Sequence, residues 1–297
     1  MSKCQKTEIR RQKQEENLVF SSVLFRISYF FFVLLQTMPD YLFRTYKYLQ
    51  NKLFACHSFG FGVHSPFVYH FTKFVIYEKN PFYRFYEIEL MRNSLKKDDR
   101  TISVTDFGMG KSGERKIKNI VKKSLKEPKY GQLLYRIVNF SNSKTILELG
   151  TSLGITTAYL ASAKADARCV TTEGCPEIAR IAQENFDSLQ LKNIEIVVGN
   201  IDEKLPVVLE NIDKIDILFL DANHCCEAVL NYFEQCIAKI HNNTILIIDD
   251  IYWSKDMAQA WEMIKKHEKV SSTIDLFQLG IVFFYTDLPK KHYRMRF

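Results

Sequence analysis

Residues 144–154 read KTILELGTSLG. The run 144–150 is a short apolar strand that ends in glycine, and GITTAYLASA at 154–163 continues as a helix. The same alternation repeats toward the C-terminus. Strands are predicted at 167–173 (ARCVTTE), 194–200 (IEIVVGN), 215–221 (IDILFLD) and 244–250 (TILIIDD). Helices are predicted at 176–189, 227–240 and 254–267, the first opened by Pro176 and the last capped by Ser254. Strands alternating with helices of this length build a parallel sheet covered on both faces. Burial on both faces explains the unbroken apolar runs. Residues 272–277 and 280–285 follow as two strands on a connection too short for a crossover, so that pair is antiparallel.

The whole chain has 297 residues, 46% hydrophobic and 25% charged. These are globular proportions, and they exclude a disordered tail, a collagen-like repeat and a multi-span membrane protein. The seven cysteines are scattered, and none forms a CxxC pair. That pattern speaks against a disulfide framework and a structural zinc site, and for a reducing, cytoplasmic setting. A net charge of +7 permits an anionic ligand or surface without demanding nucleic acid.

Ahead of residue 144 the composition changes. Of 23 phenylalanines, 14 lie in the first 90 residues. Residues 18–38 (LVFSSVLFRISYFFFVLLQTM) are long enough to span a bilayer or to associate with one. Against a span, Arg26 sits near the middle, where a charge costs about 2.5–3.5 kcal/mol. We therefore expect 1–37 to be a dispensable extension, with Met38 as the usual start, ahead of a membrane anchor. Residues 38–140 are expected to form an aromatic-rich helical cap, with Ser65 and Pro66 opening one of its helices. Within it, 92–136 carries 13 Lys and Arg against five Asp and Glu. A solvated basic face is the plain reading, and a docking surface for an anionic substrate or carrier protein is the sharper one. Residues 141–297 form the sheet domain.

Ligands of parallel sheets bind beyond the carboxyl ends of the strands. Here those ends are Leu149-Gly150, Thr172-Glu173, Gly199-Asn200, Leu220-Asp221 and Asp249-Asp250. Two glycine loops compete for a cofactor, DFGMG at 106–110 and ELGTSLG at 148–154. Only the second leads through a helix and a strand to an acid, Glu173, 23 residues beyond Gly150. A carboxylate at that place holds a ribose diol. DFGMG is read as a turn between cap elements. The chosen loop is G-x-x-x-G and lacks the middle glycine that lets backbone approach a pyrophosphate. A cofactor with ribose but no pyrophosphate fits better, and S-adenosylmethionine (SAM) is one.

The stretch QLLYRIVNFSNSKTILELGTSLGITTAYLA (132–161) resembles the opening of the class I, SAM-dependent O-methyltransferases, in particular the catechol and caffeoyl-CoA branch. Both carry a Q-L-L helix ahead of an E-x-G-T-x-x-G loop. Over 38–297 the chain is also similar to a methyltransferase-like family of Bacteroidetes, through GVHSPFVY, EGCPEIA, DDIYWS and DLFQLGIVFF. The resemblance implies an α/β, Rossmann-like sheet of seven strands, the last antiparallel, under an N-terminal helical cap. It places Gly150, Thr151 and Gly154 against the methionine part of SAM, with Glu148 beneath them. It gives Glu173 to the ribose and Asn200 to the adenine. The alternative for Glu148 is a structural acid that bonds loop amides.

The related enzymes carry D-x-x-K after the fourth strand and D-N after the fifth, for a divalent metal and a base. This chain has Asp221-Ala222-Asn223-His224 and Asp249-Asp250. The resemblance thus implies Asp221, Asp249 and Asp250 as ligands of Mg2+ or Ca2+. It puts His224, beside Asp221, in the place of the base; histidine titrates near pH 6.5 and can take a hydroxyl proton. The expected activity is SAM-dependent methyl transfer to an oxygen of a small-molecule acceptor. A non-catalytic SAM-binding module and a nucleotide-dependent oxidoreductase stand as alternatives.

Overall fold

The computed structural model describes residues 37–107 and 112–297. The chain divides between Tyr46 and Lys47 into two units. Of the first, residues 37–46 are described, and helix α1 (Asp40–Phe54) begins there. All but the last two residues of the apolar run 18–38 lie outside the described residues. No helix among the described residues is long and apolar enough to cross a membrane.

The second unit is built on one sheet. Its central strands are β3 (Thr145–Leu149), β4 (Arg168–Glu173), β5 (Ile194–Val198), β6 (Ile215–Leu220) and β7 (Ile240–Asp249). Neighbours among these five are all parallel. β8 (Ser272–Asp275) and β9 (Leu279–Phe283) form the antiparallel pair, and β9 is also antiparallel to β7. The order is β5-β4-β3-β6-β7-β9-β8, with β10 (Lys291–Arg294) added at the edge parallel to β8. The seven expected strands are present, and β10 makes eight.

Chain order reverses between β3 and β6, so ligands are expected beyond their carboxyl ends. Helices α6 (Ile155–Ser162), α7 (Pro176–Ser188), α9 (Cys226–Cys236) and α10 (Lys255–Lys266) connect the strands as the periodicity predicts. Ser254 Oγ accepts from Met257 N at 3.0 Å, which is the predicted cap of α10. One helix is additional: α8 (Ile201–Glu210), capped by Asn200 and carrying Pro206 inside it.

The segment before the sheet contributes α2 (Pro66–Phe71), continued by a π-helical turn at 72–76, and α3 (Tyr83–Leu95). Ser65 caps α2, as read from the sequence. A hairpin of β1 (Thr101–Val104) and β2 (Gly113–Lys116) follows; of DFGMG, Asp106 and Phe107 come after β1, and 108–110 lie outside the described residues. Two helices split at Pro128 complete the segment, α4 (Ile117–Ser124) and α5 (Pro128–Ser141).

Two apolar cores hold these layers together. One joins α2 and α5 to β3, β6, β7, β8 and β9, with Phe71 edge-on to Phe140 and Phe283 at 5.4 and 5.2 Å. The other joins α3, the hairpin and α4 to α6 and α7. Both bury aliphatic and aromatic side chains completely, each worth about 1.5–3 kcal/mol. The strand ends are thereby fixed on a rigid frame.

Candidate active site

The loop after β3 is tied to its neighbours by backbone. Gly150 N and Thr151 N both donate to Thr172 O, at 3.1 and 3.0 Å, and Asp221 N donates to Leu149 O at 2.9 Å. Gly150 has φ 107, and a Cβ there would lie 2.2 Å from the Asp221 carbonyl oxygen. Glycine is therefore demanded by the close approach of two strand ends. Gly154, at φ 80, begins α6 against the Phe186 ring, 2.5 Å from where its Cβ would stand.

Glu148 is completely buried at the end of β3. Its Oε2 accepts from Thr157 Oγ1 at 2.5 Å and Thr171 Oγ1 at 2.7 Å, and Oε1 has no partner. Burial pushes its pKa up to about 8 against those two hydrogen bonds, so it is largely a neutral acid at pH 7. Thr151 and Thr171 hydroxyls meet at 2.6 Å directly beside it.

Glu173 closes β4. Its oxygens accept from Ser152 N at 2.8 Å and Cys175 N at 2.9 Å. Burial raises its pKa, the backbone donors oppose that, and Asp106 adds to the rise. A carboxylate oxygen has more than one acceptor direction, so hydroxyl donors can still be taken. Residues 105–107, which follow β1, reach this strand end. Thr105 N donates to Cys175 Sγ at 3.4 Å, and Phe107 packs over Gly174, where a Cβ would meet its ring at 2.8 Å. Sequence reading set that segment aside; its only signals were Asp106 and the aromatic beside the glycines. Asn200 stands one strand further on, where its Oδ1 accepts from Asp202 N at 3.1 Å.

Asp221 and Asp249 stand at the ends of adjacent strands β6 and β7, close enough that each acts on the other's ionisation. Burial raises both pKa values, that of Asp221 strongly; Asp249 raises that of Asp221 further, whereas Lys126 and Asp221 oppose the rise at Asp249. His224 Nε2 lies 3.8 Å from Asp221 Oδ1, in the loop just before α9, and its ring faces Trp253 at 6.2 Å. Asp250 has φ 52, which turns the chain out of β7.

Two of the three expected metal ligands, Asp249 and Asp250, converge, but on a lysine. Lys126 Nζ lies 2.8 Å from Asp249 Oδ1 and 2.6 Å from Asp250 Oδ1. Burial disfavours its charge, but Asp249, Asp250 and Asp221 outweigh burial and raise its pKa. Among the described residues no group of three or more His, Cys, Asp or Glu side chains is arranged to hold a metal ion. The predicted set Asp221, Asp249 and Asp250 does not fit Mg2+ or Ca2+ here, because an ammonium already bridges two of its carboxylates. Lys126 also lines a small cavity of about 20 Å³ with Tyr130, Thr156, Tyr159, Asp221 and Asp249. Outside it opens a larger basic groove of about 600 Å³, walled by Arg92, Lys96, Lys118 and Lys122.

Residues 147–251 match a family described as a methyltransferase domain. A catechol O-methyltransferase of Niastella koreensis is 30% identical over 127 residues, 42% of this chain and 57% of that protein. The O-methyltransferase imqG of Aspergillus flavus is 28% identical over 122 residues, 39% of this chain and 49% of that protein. The chain thus spans about half the length of the curated relatives it matches. An O-methyltransferase from Bacillus cereus, solved in complex with SAH, superposes with a TM-score of 0.50 at 19% identity, over 69% of this chain and 92% of that one. Cofactor-bound Rv0187 from MTB superposes with a TM-score of 0.50 at 21% identity, over 55% and 83%. The strand order with β9 reversed and these matches point the same way: residues 147–251 are similar to a methyltransferase domain, O-methyltransferases are among the relatives, and the sheet has the fold of the solved O-methyltransferase.

Proposed function

We propose that this protein transfers a methyl group from SAM to an oxygen of a small-molecule acceptor. The observation that carries the reading is the run of strand ends on one edge of the sheet. Glu173 stands at β4, Asp221 and His224 at β6, and Asp249 at β7. The residues fit SAM chemically. Glu173 supplies a ribose acceptor, and residues 150–154 form a tight loop above a neutral Glu148 with an unpartnered oxygen. Asn200 keeps its amide nitrogen for the adenine while its oxygen caps α8.

When bound, SAM supplies a methyl group already activated on a sulfonium sulfur. The chain has to orient the acceptor and take its proton. His224 would take the proton of the acceptor hydroxyl. Asp221 Oδ1 stands 3.8 Å from that imidazole. No step runs through a divalent cation.

Transfer of labelled methyl from SAM into small-molecule extracts tests the activity. His224→Ala is expected to lower turnover by about 10²–10⁴-fold with SAM affinity retained. An equally active His224→Ala enzyme would remove the base from this account.

A further inference from the structure

Lys126 belongs to the connection between α4 and α5, far from the strand ends in sequence. Its position is built rather than incidental. Arg92, itself buried, donates from Nη1 to the Lys126 carbonyl at 2.7 Å and from Nε to Glu89 at 2.9 Å. Tyr159 Oη, from α6, donates to the same Glu89 oxygen at 2.8 Å. This chain of polar groups fixes the backbone from which the Lys126 side chain reaches Asp249 and Asp250.

We propose, on the methyltransferase reading above, that the Lys126 ammonium takes the place of a divalent cation in this site and offers its remaining N–H to a single oxygen of the acceptor. Three arguments support this. Lys126 Nζ already neutralises Asp249 and Asp250 at ion-pair distance. A second cation there would be repelled by it and would have to displace it. Divalent ions of this kind also need six or more oxygen ligands, whereas an ammonium is satisfied by three acceptors. Lys126 Nζ donates to Asp250 Oδ1 at 2.6 Å and sits at ion-pair distance, 2.8 Å, from Asp249 Oδ1, and with both carboxylates on it the partly exposed ammonium has a donor left for a ligand. A metal can hold both oxygens of a vicinal diol. One N–H directs a single oxygen, so the acceptor class is a lone hydroxyl or its oxyanion. The oxyanion would be stabilised by the fixed charge beside it.

The test is calorimetric titration of MgCl2, CaCl2 and MnCl2 into the full chain and into Lys126→Ala, with SAM titrated into the same samples. Wild type is expected to bind none of the three ions at millimolar concentration. Lys126→Ala frees the carboxylates and should gain at least tenfold in affinity for one of them. If Lys126→Ala fails to fold, Lys126→Met keeps the side-chain volume without the charge. The wild-type titration stands without either variant. In the complex with SAH, phenol and catechol should bind wild type within about threefold of each other, and added Mg2+ should change neither. Micromolar divalent binding by wild type that Asp250→Asn abolishes would overturn the proposal, as would Mg2+-dependent preference for catechol. Either result with SAM binding intact leaves the methyltransferase reading standing. Absence of SAM binding would instead strike that reading.

Discussion

Glu148 has one oxygen held by two threonines and the other without a partner, at full burial. In an unfolded chain such a carboxyl ionises near pH 4.3. In the fold, burial raises its pKa to about 8. Between these values the native state holds a proton that the unfolded state has lost. Its stabilising contribution is complete below about pH 4.3 and declines as pH rises through about 8. The slope is at most about 1.4 kcal/mol per pH unit. Glu148→Gln mimics the neutral acid, so its urea midpoint should fall less between pH 5 and 8 than that of wild type. Parallel curves would mean that Glu148 is ionised in the fold. At this scale Glu173 and Gly150 are legible in the sequence, because strand ends and a glycine before a helix have fixed meanings. Lys126 is not. It lies in a basic run that reads as a solvated face, and its partner Asp250 is 124 residues away.

Elements were legible where periodicity was long. The strands β3 to β7 and the caps at Ser65 and Ser254 follow from apolar runs and local hydrogen-bonding chemistry. Ser254→Ala should cost about 1 kcal/mol in denaturant unfolding through loss of the 3.0 Å bond to Met257 N; a change near zero would show that the helix start is held by packing alone. Other elements depended on distant partners. The predicted helix over 227–240 ends at Cys236, and β7 begins at Ile240 instead of 244. There His241 Nε2 meets Asp216 Oδ1 at 2.9 Å and Thr244 Oγ1 donates to Ile215 O at 2.6 Å, pulling a polar stretch onto β6. Helix α8 contains Pro206, which argues against a helix locally. β10 is four residues of KHYR whose pairing with β8 no alternation announces.

For the whole molecule, among the described residues, the buried members of both cores run from Val68 to Met295, with Val63, Phe67 and Phe297 packed against one of them. With 1–37 as a dispensable extension, a chain beginning at Met38 is expected to melt within about 3 °C of the full chain, the shift that about 1 kcal/mol gives in a domain of this size. A larger loss, or aggregation, would make the first 37 residues part of the fold. The segment before the sheet is more than a cover, because it supplies α3, the hairpin and α4 to one core and Lys126 to the strand ends.

The central claim is that this sheet binds SAM through Glu173 as part of a methyltransferase site. Calorimetry of SAM and NAD with wild type and Glu173→Ala tests it most directly. The account predicts that wild type binds SAM and not NAD, and that Glu173→Ala weakens SAM by about 1–3 kcal/mol, the cost of an unpaired hydrogen-bonding site. Equal SAM affinity in the two proteins, or a wild type that binds NAD in preference to SAM, would contradict it.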